Sequence, residues 1–423
     1  MKRIFSVSLG IGFAASLAFG CESTQGGEDG SLGESQESLT VDCSKATDWA
    51  TGVAYAVGAV VRFSGNTYQC LQAHTSQPDW TPPAVPALWN PVTCSGGTGG
   101  GTDAGTDSGA RDSGSGSADA GTPPATGIPK HELTGYWQNF TNGATALRLR
   151  DVPANYDIIA VAFADANPSS PGGVTFNVDS GLSSAVGGYT NANFISDVQT
   201  VHANGKHVVL SIGGANGSLD LSSSGNVTNF VNSAAGLISQ FGFDGIDIDL
   251  ENGINVANLT SGLQQLQQRV GSRFLLTMAP QTIDVQPGGA YLQLINNVKS
   301  IISVVHTQYY NSGTMLGRDQ KVYAEGTEDF ETALADLLLE TLRPDQVALG
   351  LPASSSAAGG GVVAPSVVNA ALDCLARGTN CGSYKPVALY PTIRGAMTWS
   401  INWDVSNGSN FANTIKPHLA TLP

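Results

Sequence analysis

Phe243-Asp244-Gly245-Ile246-Asp247-Ile248-Asp249-Leu250-Glu251 is the stretch on which the fold turns. Apolar and acidic residues alternate through it, the pattern of a strand whose successive side chains point to opposite faces. Ile246, Ile248 and Leu250 share one face; Asp247, Asp249 and Glu251 share the other. In a closed parallel barrel the apolar set would face the surrounding helices and the acids would point to the interior. Glu251 then falls at the C-terminal mouth, where barrel active sites lie. Same-face neighbours sit about 7 Å apart at the strand's rise per residue. At that range the carboxylates do not all ionise cheaply, and one of them should hold its proton near neutrality. A protonated carboxyl at a rim is what a general acid requires. A calcium loop also alternates Asp, but needs turn residues where this sequence has Ile and Leu. An acid cluster with no chemistry is costly unless every member is paired.

Working outward, apolar runs with strand character occur at 133–140, 157–165, 207–214, 243–251, 274–281, 304–311, 346–353 and 395–402. Helical patterns intervene at 226–240, 256–270, 290–302, 328–342 and 364–377. Eight β/α repeats predict an α/β fold, a (β/α)8 TIM barrel over residues 128–423. The alternative is a doubly wound open sheet, which a Gly-rich phosphate loop after the first strand would favour. Gly135-Tyr136-Trp137-Gln138 is not one.

Asp244, Asp247, Asp249 and Glu251 fill every position of the DxxDxDxE signature, and the segment resembles that of family 18 glycoside hydrolases. Ser211-Ile212-Gly213-Gly214 is similar to the family's SxGG motif ending the third strand. Met278-Ala279-Pro280-Gln281 resembles its fifth-strand pattern, Gln308-Tyr309-Tyr310-Asn311 its sixth, and Met397-Thr398-Trp399 its eighth. Each short motif alone is weak; their order and spacing are specific, and the resemblance spans nearly all of 130–423.

What it implies is hydrolysis of chitin without an enzymic nucleophile. Glu251 would protonate the glycosidic oxygen, and the substrate's own acetamide oxygen would attack the anomeric carbon. Asp249 would orient the acetamide, and Asp247 would share a proton with Asp249. Tyr136 and Ser211 would bond Asp247, Tyr310 would hold the acetamide oxygen, and Trp399 would floor the sugar. Met278, Gln308 and Asn311 join them as substrate-binding candidates. For Met278 and Gln308, interior packing is an equal reading, and Tyr136 could equally be core. Gly213 and Gly214 could serve close backbone approach alone. Asp244 is expected to stabilise the strand. Trp137, Trp403 and Asp404 are further candidates for the cleft wall. About 40 residues separate the seventh and eighth strand patterns, too few for the large α+β insertion that walls a deep cleft in some family members. An open groove and endo-type cleavage follow.

The rest of the chain frames this barrel. Residues 1–21 read as a signal peptide: a basic start, an apolar run too short for a stable anchor, then Ala18-Phe19-Gly20-Cys21. That ending resembles a lipoprotein cleavage site with Cys21 lipidated; ordinary cleavage stays open because Phe19 is unusual there. Residues 22–40 are a polar tether and 95–127 a Gly/Ser/Thr/Asp-rich linker, a flexible coil of roughly 30 Å end to end. Between them, 41–94 regain aromatic and β-branched residues as a small all-β domain. Trp49, Tyr55, Gly58, Val61, Gly65, Tyr68, Cys70, His74-Thr75-Ser76, Trp80 and Pro86-Ala87-Leu88-Trp89 resemble the family 5/12-type chitin-binding modules of bacterial chitinases. Trp80, in Pro78-Asp79-Trp80-Thr81-Pro82, leads the candidates for stacking on a polysaccharide. Trp89 and Tyr68 could bind or pack; Trp49 reads as core.

Cys43 and Cys94 bracket that segment, and Cys374 and Cys381 lie seven positions apart; pairing them so leaves Cys70 as a buried thiol in a strand. A Cys43–Cys94 bridge would contribute about 3–4 kcal/mol to so small a core. A net charge of −15, from 34 Asp+Glu against 19 Lys+Arg, argues against a nucleic-acid partner. No cofactor or metal is expected; the partners are chitin and chito-oligosaccharides, acted on by a secreted monomer with a lipid anchor as an option. Two other functions compete. One is an endo-β-N-acetylglucosaminidase acting on N-glycans, disfavoured by the binding module. The other is a non-catalytic lectin, disfavoured because Glu251 is present.

Overall fold

The computed structural model describes residues 40–41, 43–71, 74–77, 80–83, 85, 88–94 and 127–423. The stretch read as a signal peptide with Cys21, nearly all of that read as a tether, all of that read as a linker but Gly127, and Pro78, Asp79, Pro86 and Ala87 lie outside them.

The larger unit is a closed barrel. Its strands are β1 (Glu132–Gln138), β2 (Ile158–Ala166), β3 (His207–Gly214), β4 (Gly245–Leu250), β5 (Leu275–Met278), β6 (Val304–Gln308), β7 (Val347–Pro352) and β8 (Gly395–Trp399). Each pairs in parallel with the next, and β8 returns to β1 through Gly395↔Glu132 to Thr398↔Gly135, so the open sheet is excluded. The helices are α1 (Asn191–Ala203), α2 (Ser224–Phe241), α3 (Val256–Val270), α4 (Ala290–Val298), α5 (Glu328–Leu338), α6 (Pro365–Arg377) and α7 (Asn410–Leu419), with short helical turns Ser180–Ala185 and Ile401–Ser406. Local chemistry sets their ends. Ser223 caps α2 by accepting from Asn226 N, and Gly242 stops it at φ +79°; Thr327 caps α5. Val227, Phe230, Val231, Ala234, Leu237, Ile238 and Phe241 give α2 one apolar stripe against the sheet.

One repeat departs from expectation. β1 is followed by a 3-10 turn, Leu149–Asp151, instead of an α-helix. The outer face of β1 is covered by other means: Ile401 and Tyr156 pack so closely on Gly135 that a Cβ there would lie 2.4 Å from Ile401 Cγ1.

Register divides the barrel into two apolar layers. Ile246, Ile248 and Leu250 join the layer under the helices, while Tyr136, Ile158, Ala160, Val209, Leu275, Ala279, Val304 and Met397 fill the inside. Asp247 pairs with Ser211 on β3 and Thr277 on β5, and Asp249 with Gly213, which places the acids on the inner face.

The smaller unit pairs Thr47–Asp48, Val60–Phe63, Asn66–Cys70 and Trp89–Pro91 into a sheet. Ser64 (φ +48°) and Gly65 (φ +83°) form the two-residue hairpin loop between Phe63 and Asn66, the backbone a tight β-turn demands. Cys43 and Cys94 are bridged, with Cα atoms 5.4 Å apart, as are Cys374 and Cys381 at 4.7 Å. Cys70 is buried, its Sγ 3.7 Å from His74 Nδ1.

Candidate active site

The inward row of β4 is reached from both neighbours. Oδ2 of Asp247 accepts from the Tyr136 hydroxyl and the Ser211 hydroxyl, and Oδ1 from Thr277, each at 2.7 Å. Three O–H donors converge on one carboxylate that is 1% exposed. Asp249, the next inward residue, accepts from Gln308 Nε2 at 2.7 Å. Burial, then the charges of Glu251 and Asp247, push its carboxyl well above the usual carboxylate range. Glu251 stands just past the last ladder pair, half-buried at the mouth. Burial raises its carboxyl too, against hydrogen bonds from Gln308 (3.2 Å) and Gln281 (3.4 Å). Asp249 and Glu251 open into a cleft of about 640 Å³ lined also by Tyr310, Asn311, Trp399, Phe163 and Phe140.

The other sequence candidates divide. The buried Tyr310 lies against the acids; burial and the charges of Asp249, Glu251 and Asp247 hold its hydroxyl well above its ordinary range, as a donor. The half-buried Trp399 stacks on Phe163 with centroids 5.8 Å apart, beside Tyr136 at 5.5 Å. Asn311 lines the cleft, but its amide oxygen accepts from Gly359 and Gly360 N–H at 2.9 and 3.0 Å. It thus pins a loop behind Tyr310 and has that oxygen committed.

Met278 is not in the cleft. Thr277 faces inward with Asp247, so strand alternation sends Met278 outward beside Ile248, into the layer under the helices. Trp137 is likewise outward, fully buried against Phe194, and Asp404 is buried as a partner of Tyr156 and of Phe411 and Ala412 N–H at the start of α7. Trp403 packs beside Gly143, outside the cleft lining. Asp244 is structural: it accepts from His202 Nε2 and Val208 N at 2.8 and 2.7 Å. Although burial opposes it, these bonds and His207 hold its carboxyl below the usual range.

Four residues of the site escape the sequence pattern. Thr277 is legible only from the β4–β5 register. Phe163 reaches the cleft because an extra residue enters β2 between Val161 and Ala164, so strict alternation misplaces it. Gln281 closes the fifth-strand motif, which is its one signal. Asn252 donates to Ala215 and Gly217 carbonyls at 3.0 Å each and fixes the β3 loop at the cleft wall. Gly213 and Gly214 permit this crowding: a Cβ on Gly213 (φ +133°) would lie 2.1 Å from Asp249 O, and one on Gly214 2.7 Å from the Phe163 ring.

In the small unit, Trp89 and Tyr68 are buried and pack, Trp89 edge-on to Tyr55 at 5.1 Å; they are not on its surface. Trp80 is half-buried beside His74, and Trp49, expected in the core, is half-buried edge-on to Phe63.

A parallel barrel with stacked carboxyls at its mouth and an aromatic wall opposite defines a glycoside hydrolase. The chain belongs to family 18 of the glycosyl hydrolases, whose model matches residues 132–416. The carbohydrate-binding module family 5/12 matches residues 48–90. Chitinase Chi52 of Paenibacillus xylanexedens is 32% identical, over 89% of this chain and 92% of that protein. Exochitinase 1 of Streptomyces olivaceoviridis is 35% identical, over 72% of this chain and 57% of that protein. The crystal structure of a family GH18 chitinase from Chromobacterium violaceum superposes with a TM-score of 0.65 at 39% identity, covering 88% of this chain and 99% of that one.

Proposed function

We propose that the chain cleaves internal β-1,4 bonds between N-acetylglucosamine units of chitin, with retention, using the substrate's acetamide as nucleophile. The position of Glu251 carries this reading: a burial-raised carboxyl at the barrel mouth, one inward step from Asp249 and in the same cleft as Tyr310 and Trp399. Glu251 gives its proton to the glycosidic oxygen as the bond from that oxygen to the anomeric carbon breaks. The acetamide carbonyl oxygen bonds to that carbon, and the positive charge moves into an oxazolinium ring. Asp249 accepts from the acetamide N–H and offsets the charge, while the Tyr310 hydroxyl orients the carbonyl oxygen. Water then attacks the same carbon as its bond to the oxazolinium ring oxygen breaks and the acetamide is restored. The water loses its proton to the Glu251 carboxylate, regenerating the acid. Trp399 gives the sugar's apolar face a flat partner.

Endo action is supported by the short β7–β8 connection, which among the described residues holds α6 and the Cys374–Cys381 loop but no strand to wall the groove. The name of the Streptomyces relative favours exo action instead. Early digestion of an N-acetylglucosamine hexamer separates the two: internal cuts give mixed sizes, whereas dimers alone from the first time points would overturn the endo reading. The same assay with Glu251→Gln tests the acid; undiminished hydrolysis would remove it. We also propose export and acylation at Cys21, supported by the basic start, the apolar run and the small residues before Cys21. Loss of membrane association in Cys21→Ser, with activity retained in the medium, is the expected result.

A further inference from the structure

We propose that Gln281 is a positioning residue for the general acid, fixing Oε2 of Glu251 while Gln308 is committed mainly to Asp249. The inference rests on the hydrolase reading above. Gln281 lies just beyond β5 and bridges in parallel to Gln308, whose N–H donates to Pro280 O at 2.9 Å. Backbone geometry therefore sets two glutamines side by side at the barrel mouth, both aimed at the carboxyls of β4.

Their loads differ. An amide nitrogen carries two hydrogens. Nε2 of Gln308 faces three acceptors: Asp249 Oδ1 at 2.7 Å, Ala279 O at 3.0 Å and Glu251 Oε1 at 3.2 Å. Two hydrogens cannot serve all three fully, and Glu251 has the longest contact. Nε2 of Gln281 faces Glu251 Oε2 at 3.4 Å, its one hydrogen bond among the described residues. That contact is long for N–H···O, so it holds a neutral acid loosely. When Glu251 releases its proton, charge develops over both carboxylate oxygens, the one Gln281 faces included, and the contact strengthens as the transition state is approached. An interaction that grows along the reaction lowers the barrel's activation barrier instead of merely tightening binding.

Gln281 also lines the cleft, so a role as a simple sugar contact is the rival. The two differ in what the assay reads. Gln281→Leu and Gln281→Met remove the donor and keep the bulk. With the hydrogen bond gone, burial acts on Glu251 less opposed, so the carboxyl keeps its proton to higher pH. The expected result on the soluble N-acetylglucosamine hexamer is a fall in kcat on the order of tenfold, a KM changed by less than about threefold, and an alkaline limb of the kcat–pH profile displaced upward. A raised KM with an unmoved alkaline limb overturns the proposal and makes Gln281 a substrate contact. An unmoved limb with unchanged kcat and KM also overturns it. Thermal melting of both variants reports whether they fold. The parent chain and Glu251→Gln, run alongside, separate the readings: if Glu251→Gln still cleaves the hexamer, the hydrolase assignment has failed and not the role of Gln281 alone.

Discussion

The Tyr136 hydroxyl crosses the inside of the barrel from β1 to donate to Oδ2 of Asp247 on β4, at 2.7 Å. It meets the Ser211 hydroxyl there, and Thr277 holds the other oxygen. The base of the acid row is thereby tied to β1, β3 and β5. Tyr136→Phe deletes one donor from a carboxyl that is 1% exposed. The expected cost is about 1–3 kcal/mol of stability, with a lower kcat because Asp247 loses its fixed orientation beneath Asp249. Thr277→Val should act the same way from the other side. Denaturant titration and hexamer kinetics check both; a variant with normal kcat would show that Asp247 needs no such grip.

Asp249 makes the site a liability for stability. Its folded-state carboxyl is raised well above the unfolded value by burial and by its acidic neighbours. A group shifted upward contributes stability that is present below its unfolded pKa and lost as pH rises through the folded one. Glu251 is shifted in the same direction. Asp249→Asn should therefore melt higher than the parent at pH 8, by less at pH 5, while hydrolysis collapses. Equal melting gains at both pH values would mean that the folded Asp249 carboxyl is already ionised at pH 5 and so is not raised.

A second buried carboxyl lies outside the site. Glu331 on α5 is 1% exposed, and neither of its oxygens has a hydrogen-bond partner among the described residues. Burial, then the charge of Glu328, pushes it well above the carboxylate range. By the same sign rule its penalty grows with pH, so Glu331→Gln should stabilise the barrel most at alkaline pH and leave kcat unchanged. Chemical denaturation at pH 5 and pH 9 reads the difference directly; a destabilised variant at pH 9 would show that the carboxylate is used.

The reach of the sequence was uneven for identifiable reasons. Alternation through Ile246–Glu251 shows both faces of β4 without any partner, since one face is apolar and the other acidic. Ser211 follows from a motif that ends a strand, whereas Tyr136, inside β1, reads from sequence as core or site alike. Thr277 and Met278 are apportioned correctly only once β5 is registered against β4, because both residue types are tolerated on either face. Phe163 depends on a bulge, which period-two reading excludes by construction. In the small unit, aromatic residues serve core and surface alike; the proline-flanked turn singles out Trp80, while Trp89 reads as able to bind or pack and proves to be core.

That last distinction yields a test. Trp89 is 1% exposed and packed on Tyr55 and His74, so Trp89→Ala removes a central core side chain at about 3–5 kcal/mol. In so small a unit that loss should unfold it, and reducing the Cys43–Cys94 bridge should act similarly. Trp80 is half-buried, so Trp80→Ala should leave the module folded and weaken retention on insoluble chitin several-fold. Hydrolysis of the soluble hexamer should not change, because that substrate needs only the barrel. Pull-down on chitin beads, paired with near-UV circular dichroism, separates a lost surface from a lost fold. Full retention by a folded Trp80→Ala variant would transfer the binding face to Trp49 and Phe63, the other half-buried aromatic pair of the module.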